Sequence, residues 1–111
     1  MKKTPQERYA AEIRAFAILT KLGGKHFVQI TGAHRFEALD NGILFGLPNH
    51  IAKHGINRVK IRENEQNTYD FRFIKVDKEK YMHEDMIAVE NVNEESLQTV
   101  FSDITGLLLS L

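Results

Sequence analysis

Apolar residues near the start of the chain recur at intervals of three and four, which is the spacing of one face of an α-helix. The stripe consists of Tyr9, Ile13, Phe16, Ala17 and Thr20, and it is widened by Ala10, Ile18, Leu19 and Leu22. Thr4, Pro5 and Glu7 form a capping box with proline in the first helical position, and Gly23 suits the residue that follows a helix. We therefore predict an amphipathic helix between Thr4 and Gly23 whose stripe is buried in the core.

The next pattern is an alternation of apolar and polar residues, which indicates strands. The first strand is predicted from Phe27, Val28 and Ile30, is interrupted by Gly32, and is resumed by Phe36, Ala38 and Leu39. A hairpin is expected at Asp40-Asn41-Gly42, because Asn-Gly supplies the two positive φ angles of a primed turn. Its second strand, residues 43–45, ends before Pro48. Residues 49–55 should then form one helical turn, capped by Asn49 and stopped by Gly55.

Two further alternating segments predict a second hairpin, from Asn57 to Arg62 and from Tyr69 to Val76, joined by the polar loop 63–67. Successive residues of a strand point to opposite faces. The apolar face is expected to carry Val59, Ile61, Tyr69, Phe71 and Phe73, and the opposite face Arg58, Lys60, Arg62, Asp70 and Arg72.

The C-terminal third predicts a charged loop from Asp77 to Asp85, a short strand over residues 86–89, and a closing helix capped by Asn93. The helix stripe is Leu97, Val100, Phe101 and Ile104, and Gly106 stops it. The apolar tail from Leu107 to Leu111 must pack on the domain or on another chain. The predicted fold class is α+β: an N-terminal helix, two antiparallel β-hairpins forming one sheet, and a C-terminal helix packed on the sheet, all in a single domain of residues 1–111.

The amino-acid composition restricts the chemistry and the cellular compartment expected for this protein. The chain has 111 residues, of which 42% are hydrophobic, and it contains no cysteine. Without cysteine there are no disulfides, thiolate metal sites or cysteine nucleophiles, and we expect a cytoplasmic protein. No segment approaches the roughly 20 consecutive apolar residues of a membrane-spanning helix, so no membrane partner is expected.

The formal net charge is zero, yet the charges are divided along the chain. Residues 1–62 carry 11 Lys and Arg against 4 Asp and Glu, whereas residues 63–111 carry 4 against 11. Either the two halves neutralise one another in the fold, or the folded surface has separate basic and acidic faces that steer a charged partner.

The strongest candidate site is the basic strand face of Arg58, Lys60, Arg62 and Arg72. Such a face can follow a phosphate backbone, and aromatic residues between the charges would add base stacking. Here the aromatic residues alternate with Arg72 and belong to the other face, so binding would be salt-sensitive and weakly sequence-specific. The alternative is an ordinary solvated face of a half-buried sheet.

Other candidate chemistry is weaker. His50 and His54 are four residues apart, but two imidazoles are too few ligands for a metal, and a structural or surface role is the competing interpretation. Gly23-Gly24 and Gly32 follow a helix and precede a predicted strand, the reverse of the order in phosphate-binding loops. We therefore expect a non-enzymatic protein with no cofactor and no bound metal, and a histidine-dependent metallohydrolase stays a third hypothesis.

Several short segments resemble a small family of uncharacterised proteins encoded by phages and other mobile elements. The segments are Leu22-Gly23-Gly24, Phe27, Ile30-Thr31-Gly32-Ala33, Phe36, Ile56-Asn57, Val59, Ile61, Tyr69-Asp70, Phe73, Leu97-Gln98, Phe101, Thr105-Gly106-Leu107 and Ser110-Leu111. The chain departs from the family pattern at His34-Arg35 and over residues 50–54. The resemblance implies no catalytic residue; it implies a mobile-element setting, in which small accessory proteins bind DNA, host nucleic-acid enzymes or defence systems.

The sequence thus predicts a small accessory binding protein that engages nucleic acid, or a host nucleic-acid or defence enzyme, through Arg58, Lys60, Arg62 and Arg72. The alternative is a self-associating assembly protein, a homo-oligomer held by the apolar tail from Leu107 to Leu111.

Overall fold

The protein is described by a computed structural model over residues 4–80 and 82–109, and it consists of a five-stranded antiparallel sheet with helices packed on one face. The elements are α1 (Pro5–Leu22), α2 (Gly24–Thr31), β1 (His34–Leu39), β2 (Gly42–Gly46), a 3-10 turn (Lys53–Gly55), β3 (Arg58–Glu63), β4 (Tyr69–Asp77), β5 (Met82–Val92), a second 3-10 turn (Glu94–Ser96) and α3 (Leu97–Thr105).

The sheet is a meander in which each strand pairs with the next one along the chain. Its inner face carries six fully buried side chains, Ile43, Phe45, Val59, Ile61, Phe71 and Phe73. These join Leu22, Phe27, Leu97 and Phe101 from the three helices in one hydrophobic core. The α+β class is therefore confirmed, with the N-terminal helix, the antiparallel sheet and the C-terminal helix in their predicted places.

Helix α1 begins as predicted but faces the core with a different side. The amide of Glu7 donates to Thr4 Oγ1 over 3.1 Å, which completes the cap. However, the predicted stripe is exposed: Tyr9, Ile13 and Phe16 are 67%, 51% and 70% accessible. The buried residues are Ala11, Ala15, Ile18 and Leu22. Because both sides of this helix are apolar, periodicity alone does not determine which side packs against β1 and β2.

The first predicted strand is wrong, because residues 24–31 form helix α2. Gly23 takes φ 130° and lets the chain leave α1 and restart a helix at once. Phe27 and Thr31 are the buried residues of α2, and their four-residue separation is helical. A run this short has no distinctive period, since three apolar residues fit a strand and a helix equally well.

Helix α2 ends in a compact set of hydrogen bonds made by the side chain of Thr31. The Thr31 hydroxyl donates to the Phe27 carbonyl over 2.8 Å and accepts the amide of Ala33 over 3.1 Å. Gly32 follows in the left-handed conformation, and its amide donates to the carbonyl of Val28. Thr31 is 1% exposed, so this polar side chain is buried with its hydrogen bonds made.

Helix α3 ends in the same way. The Thr105 hydroxyl donates to the Phe101 carbonyl over 2.7 Å and accepts the amide of Leu107 over 3.2 Å, with Gly106 in the left-handed conformation. The ring of Phe101 meets that of Phe27 edge to face, with centroids 5.0 Å apart. A repeated Phe-x-x-x-Thr-Gly segment therefore both ends the two short helices and joins them in the core.

The β1–β2 hairpin is confirmed, but the turn has a different basis from the predicted one. Leu39 pairs with Gly42, so the loop is Asp40-Asn41, and neither Asn41 nor Gly42 has a positive φ. A Cβ atom on Gly42 would overlap the carbonyl oxygen of Ile61 in β3. Glycine is required here by the close approach of two strands and not by the turn.

The segment between β2 and β3 was expected to form a capped helical turn, and only its end does so. Lys53–Gly55 forms a 3-10 turn interrupted by His54 at φ 63°. Asn49 is not a cap, because its Oδ1 accepts the Nδ2 of Asn57 over 2.9 Å. Asn57 also exchanges two 2.8 Å hydrogen bonds with the backbone of Val76, and it thereby ties this segment to the end of β4.

The predicted loop from Asp77 to Asp85 is mostly strand. Asp77 Oδ1 accepts the amides of Glu79 and Lys80, which forms a tight turn, and β5 starts at Met82. Pairing with β4 extends this strand through its charged residues, and an edge strand with one open side tolerates charged side chains. Tyr81, within the predicted loop, lies outside the described residues.

The C-terminal tail packs on the chain's own core. Leu109 is 8% exposed and Leu107 is half-buried, whereas Leu108 is 76% exposed. Ser110 and Leu111, which the prediction included in the tail, lie outside the described residues. The part of the tail that is described therefore leaves one large apolar side chain in solvent.

Candidate nucleic-acid interface

The outer face of the sheet is arranged in rows that cross the strands. The strand register gives an upper row of His34, Gly46, Arg58, Ile74 and Asp85, a middle row of Glu37, Leu44, Lys60, Arg72 and Ala88, and a lower row of Leu39, Gly42, Arg62 and Asp70. All four predicted site residues thus lie on this face, in two adjacent strands. We call Arg58, Lys60, Arg62 and Arg72 the basic face.

Two of these cations are direct neighbours. Lys60 of β3 pairs with Arg72 of β4. Like charges in directly opposed positions are destabilising in a sheet unless other groups compensate for them. Arg58 and Arg62 lie two residues to either side of Lys60, at a strand rise of roughly 6.6–6.8 Å each. The row of cations therefore has the scale of successive phosphates in a nucleic-acid backbone.

Exposure differs along the basic face. Arg62 and Arg72 are exposed, whereas Arg58 and Lys60 are half-buried. Ile74 shares this face and is only 5% exposed, so side chains cover it at the upper end. Long cationic side chains cover apolar surface with their methylene groups while the charged ends stay in water. The charges of such residues remain available to a ligand.

The lower row includes a carboxylate directly beside the basic face. Asp70 is opposite Arg62. Its Oδ1 accepts the Nδ2 of Asn64 and the amide of Asn91, both over 3.0 Å. Asp70 therefore fixes the β3–β4 loop and β5 while it offsets part of the charge of Arg62.

The aromatic residues of β4 take no part in this surface. Phe71 and Phe73 are 0% exposed and stack on one another, with centroids 5.4 Å apart and planes inclined by 10°, and Tyr69 is 4% exposed. The prediction that they belong to the core face is confirmed. Without exposed rings between the cations, the basic face can contact phosphates but has no base-stacking platform in these strands.

The two oppositely charged halves of the chain touch at several places. Lys21 Nζ lies 3.1 Å from Glu94 Oε1, and the hydrogen bond that Lys21 donates to Glu94 raises the pKa of Lys21. Arg62 and Asp70 are a second such pair of neighbours. These contacts between the halves are local, and Arg58, Lys60 and Arg72 share the outer face with Glu37 of the middle row.

The histidine pair does not form the helical face that its spacing suggests. His50 and His54 both have positive φ, 68° and 63°, in a segment that is not an α-helix. Within residues 4–80 and 82–109, no three His, Asp or Glu side chains are placed to hold a metal ion. His50 instead lines a cleft at the upper end of the sheet, together with His34 and Arg58.

This cleft is the feature that sequence reasoning missed. Its other cationic residues are Arg35 in a bulge of β1, Lys75 near the end of β4 and Lys78 in the β4–β5 turn. Only the strand pairing brings these distant positions together. One visible signal was Gly46, because a glycine inside a strand often marks a close approach or an opening.

These observations define the class as a small α+β protein with a basic outer sheet face and a cationic cleft at one end of it. No protein-family model, curated protein or solved structure matches the chain. In the described part of the chain, each helix is too short or too polar to cross a bilayer.

Proposed function

We propose that this chain is a non-enzymatic accessory protein that binds nucleic acid through its basic face. The observation that carries the proposal is the opposition of Lys60 and Arg72 in neighbouring strands, flanked by Arg58 and Arg62. Four cations on one face of two neighbouring strands attract an anionic partner. The phage or mobile-element setting that the resemblance implies belongs to the same proposal.

The binding mode follows from what the face offers. Four cations and no exposed ring favour contacts to phosphates over contacts to bases. If each of the four cations contacts one phosphate, the logarithm of the affinity for duplex DNA falls with the logarithm of the salt concentration with a slope of about −3.6, since each neutralised phosphate contributes roughly −0.9. The corresponding slope for single strands is about −2.8. Discrimination between sequences should be small.

The test is fluorescence anisotropy with labelled single- and double-stranded DNA between low and physiological salt. The variant R62Q/R72Q changes the two exposed cations of the basic face, and the matched control R8Q/K25Q removes the same charge from exposed positions on the helices. We expect R62Q/R72Q to weaken binding and to reduce the magnitude of the salt slope by about 2, near 0.9 for each lost contact. Equal losses in both variants, or no binding by the native chain at low salt, would refute the proposal.

A polyanion other than nucleic acid provides the comparison for an acidic protein surface. Poly-L-glutamate carries carboxylates in place of phosphates. If it competes as well as DNA at equal charge, and R62Q/R72Q abolishes both, the partner is an acidic surface such as that of a host nucleic-acid or defence enzyme. Preferential binding of DNA supports the nucleic-acid proposal.

A second candidate function is self-association, and the exposed stripe of α1 favours it. Tyr9, Ile13, Phe16 and Thr20 have the 4-3-4 spacing of a coiled-coil seam, and they lie on the side of α1 opposite the core. A second copy of the same helix, packed antiparallel, would match this stripe with itself. The stripe replaces the C-terminal tail as the candidate interface, because the described tail is largely packed on its own core.

The area of this stripe sets the expected strength. Two aromatic side chains of roughly 200 Å² each, about two-thirds exposed, offer on the order of 270 Å² per protomer, well below the ~800 Å² per partner of a standard interface. We therefore expect dimerisation only at high protein concentration. Sedimentation velocity across a concentration series tests it, with Y9Q/F16Q expected to remain monomeric. A native chain that is monomeric at every concentration would exclude this candidate.

A further inference from the structure

The cleft at the upper end of the sheet has a volume of about 640 Å³, which lies within the size range of small-ligand sites. Four cations line it, Arg35, Arg58, Lys75 and Lys78, along with His34 and His50. Two carboxylates, Asp77 and Glu79, also line it. Asp77 Oδ1 is already engaged with the amides of the β4–β5 turn. The balance of charge in the cleft is therefore positive.

One position of the upper row that lines the cleft has no side chain. Gly46 lies between His34 and Arg58 in the upper row. A Cβ atom on Gly46 would be 3.0 Å from His34 Cε1, closer than side chains normally pack. Glycine therefore lets the imidazole of His34 lie close to the strand next to Arg58, and both side chains line the cleft. Imidazole and guanidinium N–H groups are hydrogen-bond donors to an anion.

The walls of the cleft are held in place by hydrogen bonds and by an unusual backbone. Asn57 ties the 47–57 segment to Val76 at the end of β4. Arg35 takes φ 55° within the β1 bulge, and His50, in the 47–57 segment, takes φ 68°. Bulges and positive φ values re-aim side chains at a cost, and such positions cluster at ligand sites. Arg35 has neither the flexibility of glycine nor the left-handed tolerance of asparagine.

The cleft is continuous with the basic face through Arg58, which belongs to both. We propose that the cleft binds the terminal phosphate of a nucleic-acid strand whose backbone lies along Arg58, Lys60 and Arg62; this inference rests on the proposed function. A terminal phosphate differs from an internal one by its higher charge, about −1.5 to −2, and by its three acceptor oxygens. The guanidinium groups of Arg35 and Arg58 and the ammonium groups of Lys75 and Lys78 supply matching donors.

The test compares one labelled single-stranded DNA in three forms, with a 5′-phosphate, with a 3′-phosphate, and with hydroxyl groups at both ends. We expect one phosphorylated form to bind about tenfold more tightly than the hydroxyl form, the ratio that one charge-assisted contact provides. K75Q/K78Q alters two exposed cleft lysines and should reduce that ratio towards one. R62Q/R72Q should weaken the binding of all three strands and leave the ratio between the phosphorylated and hydroxyl forms unchanged. The charge-matched control R8Q/K25Q should also leave this ratio unchanged, with a smaller loss of affinity.

The outcomes separate the two proposals. Equal binding of all three strands by the native protein overturns the cleft proposal and leaves the basic face supported. A phosphate preference that survives K75Q/K78Q also overturns it. Failure of every strand to bind refutes the proposed function itself. Calorimetry with a nucleoside 5′-monophosphate then identifies the source of the phosphate. If the mononucleotide binds, K75Q/K78Q abolishes that binding and no strand binds, the ligand of the cleft is a free nucleotide and not a strand end. That result would overturn the proposal.

Discussion

Replacing Thr31 by valine should destabilise the fold although the two side chains have nearly the same shape. The hydroxyl of Thr31 is the acceptor for the Ala33 amide, and both residues are buried, at 1% and 5% exposure. Valine leaves that amide without a partner, which costs about 1–3 kcal/mol in a buried site. The lost bond to the Phe27 carbonyl adds less, because that oxygen lies within a helix and keeps its backbone donor.

The chain contains a matched control for this substitution. Thr20 makes the same hydroxyl bond to the residue four positions earlier, Phe16, over 2.9 Å, but it is exposed. Thr20→Val should therefore change the free energy of unfolding by less than about 0.5 kcal/mol, as is usual for surface changes. Thr105→Val should fall between the two, because the Leu107 amide that it orphans belongs to a half-buried residue.

Urea denaturation followed by circular dichroism measures the three variants under one set of conditions. For a chain of this size, a loss of 1 kcal/mol corresponds to a fall in Tm of roughly 4–6 °C, so thermal unfolding provides an independent check. The expected order of stability is native, Thr20→Val, Thr105→Val and Thr31→Val. A Thr31→Val protein as stable as Thr20→Val would show that the buried hydrogen bonds contribute nothing, and the reasoning would fail.

Three other predictions use the same assays. Gly42→Ala should cost about 1–3 kcal/mol, because its Cβ overlaps the Ile61 carbonyl and the strands must part; unchanged stability would contradict the close approach. Phe16→Gln should leave stability within about 0.5 kcal/mol, since the ring is 70% exposed, and a large loss would restore the predicted buried stripe. The folded-state pKa of Lys21 is raised by Glu94, so their pair stabilises below the ordinary lysine pKa of 10.5 and is lost as pH rises through the folded value. E94Q should therefore reduce stability by less than about 1 kcal/mol at pH 7, and the difference should vanish once the pH exceeds the raised pKa of Lys21, whereas a constant difference would contradict the assignment.

The strands β2, β3 and β4 were predictable because half-buried strands impose a strict alternation on the sequence. Val59 and Ile61 face the core and Arg58, Lys60 and Arg62 face outward, as their order along the chain requires. The same rule assigned Arg72 to the outer face. The opposition of Lys60 and Arg72 could not be predicted, since it depends on the register between strands, which the β3–β4 loop and its hydrogen bonds set.

Local patterns failed where two structures satisfy them equally. Phe27 and Thr31 have the spacing of a helix, which Gly23 allows to begin directly after α1. The short apolar run around them is equally compatible with a strand. Helix α1 has apolar residues on opposite sides, so the choice of buried side was made by packing against the sheet. The cleft was beyond prediction for a related reason: His34, His50 and Lys75 become neighbours only through strand pairing.

The buried polar groups of this protein follow the usual rule of hydrogen bonding, because no buried side-chain polar atom in the described residues lacks a hydrogen-bond partner. One local departure lies beside the cleft, where Arg35 takes φ 55° in the β1 bulge at a cost of about 1–3 kcal/mol. Sequences that fold well violate local rules mainly where function requires it. The proposed ligand, an anionic strand that lies along β3 with its end in the cleft, would offset this cost by bringing a phosphate to Arg35, Arg58 and Lys75. The comparison of phosphorylated and hydroxyl strand ends is therefore also a test of why the bulge is strained.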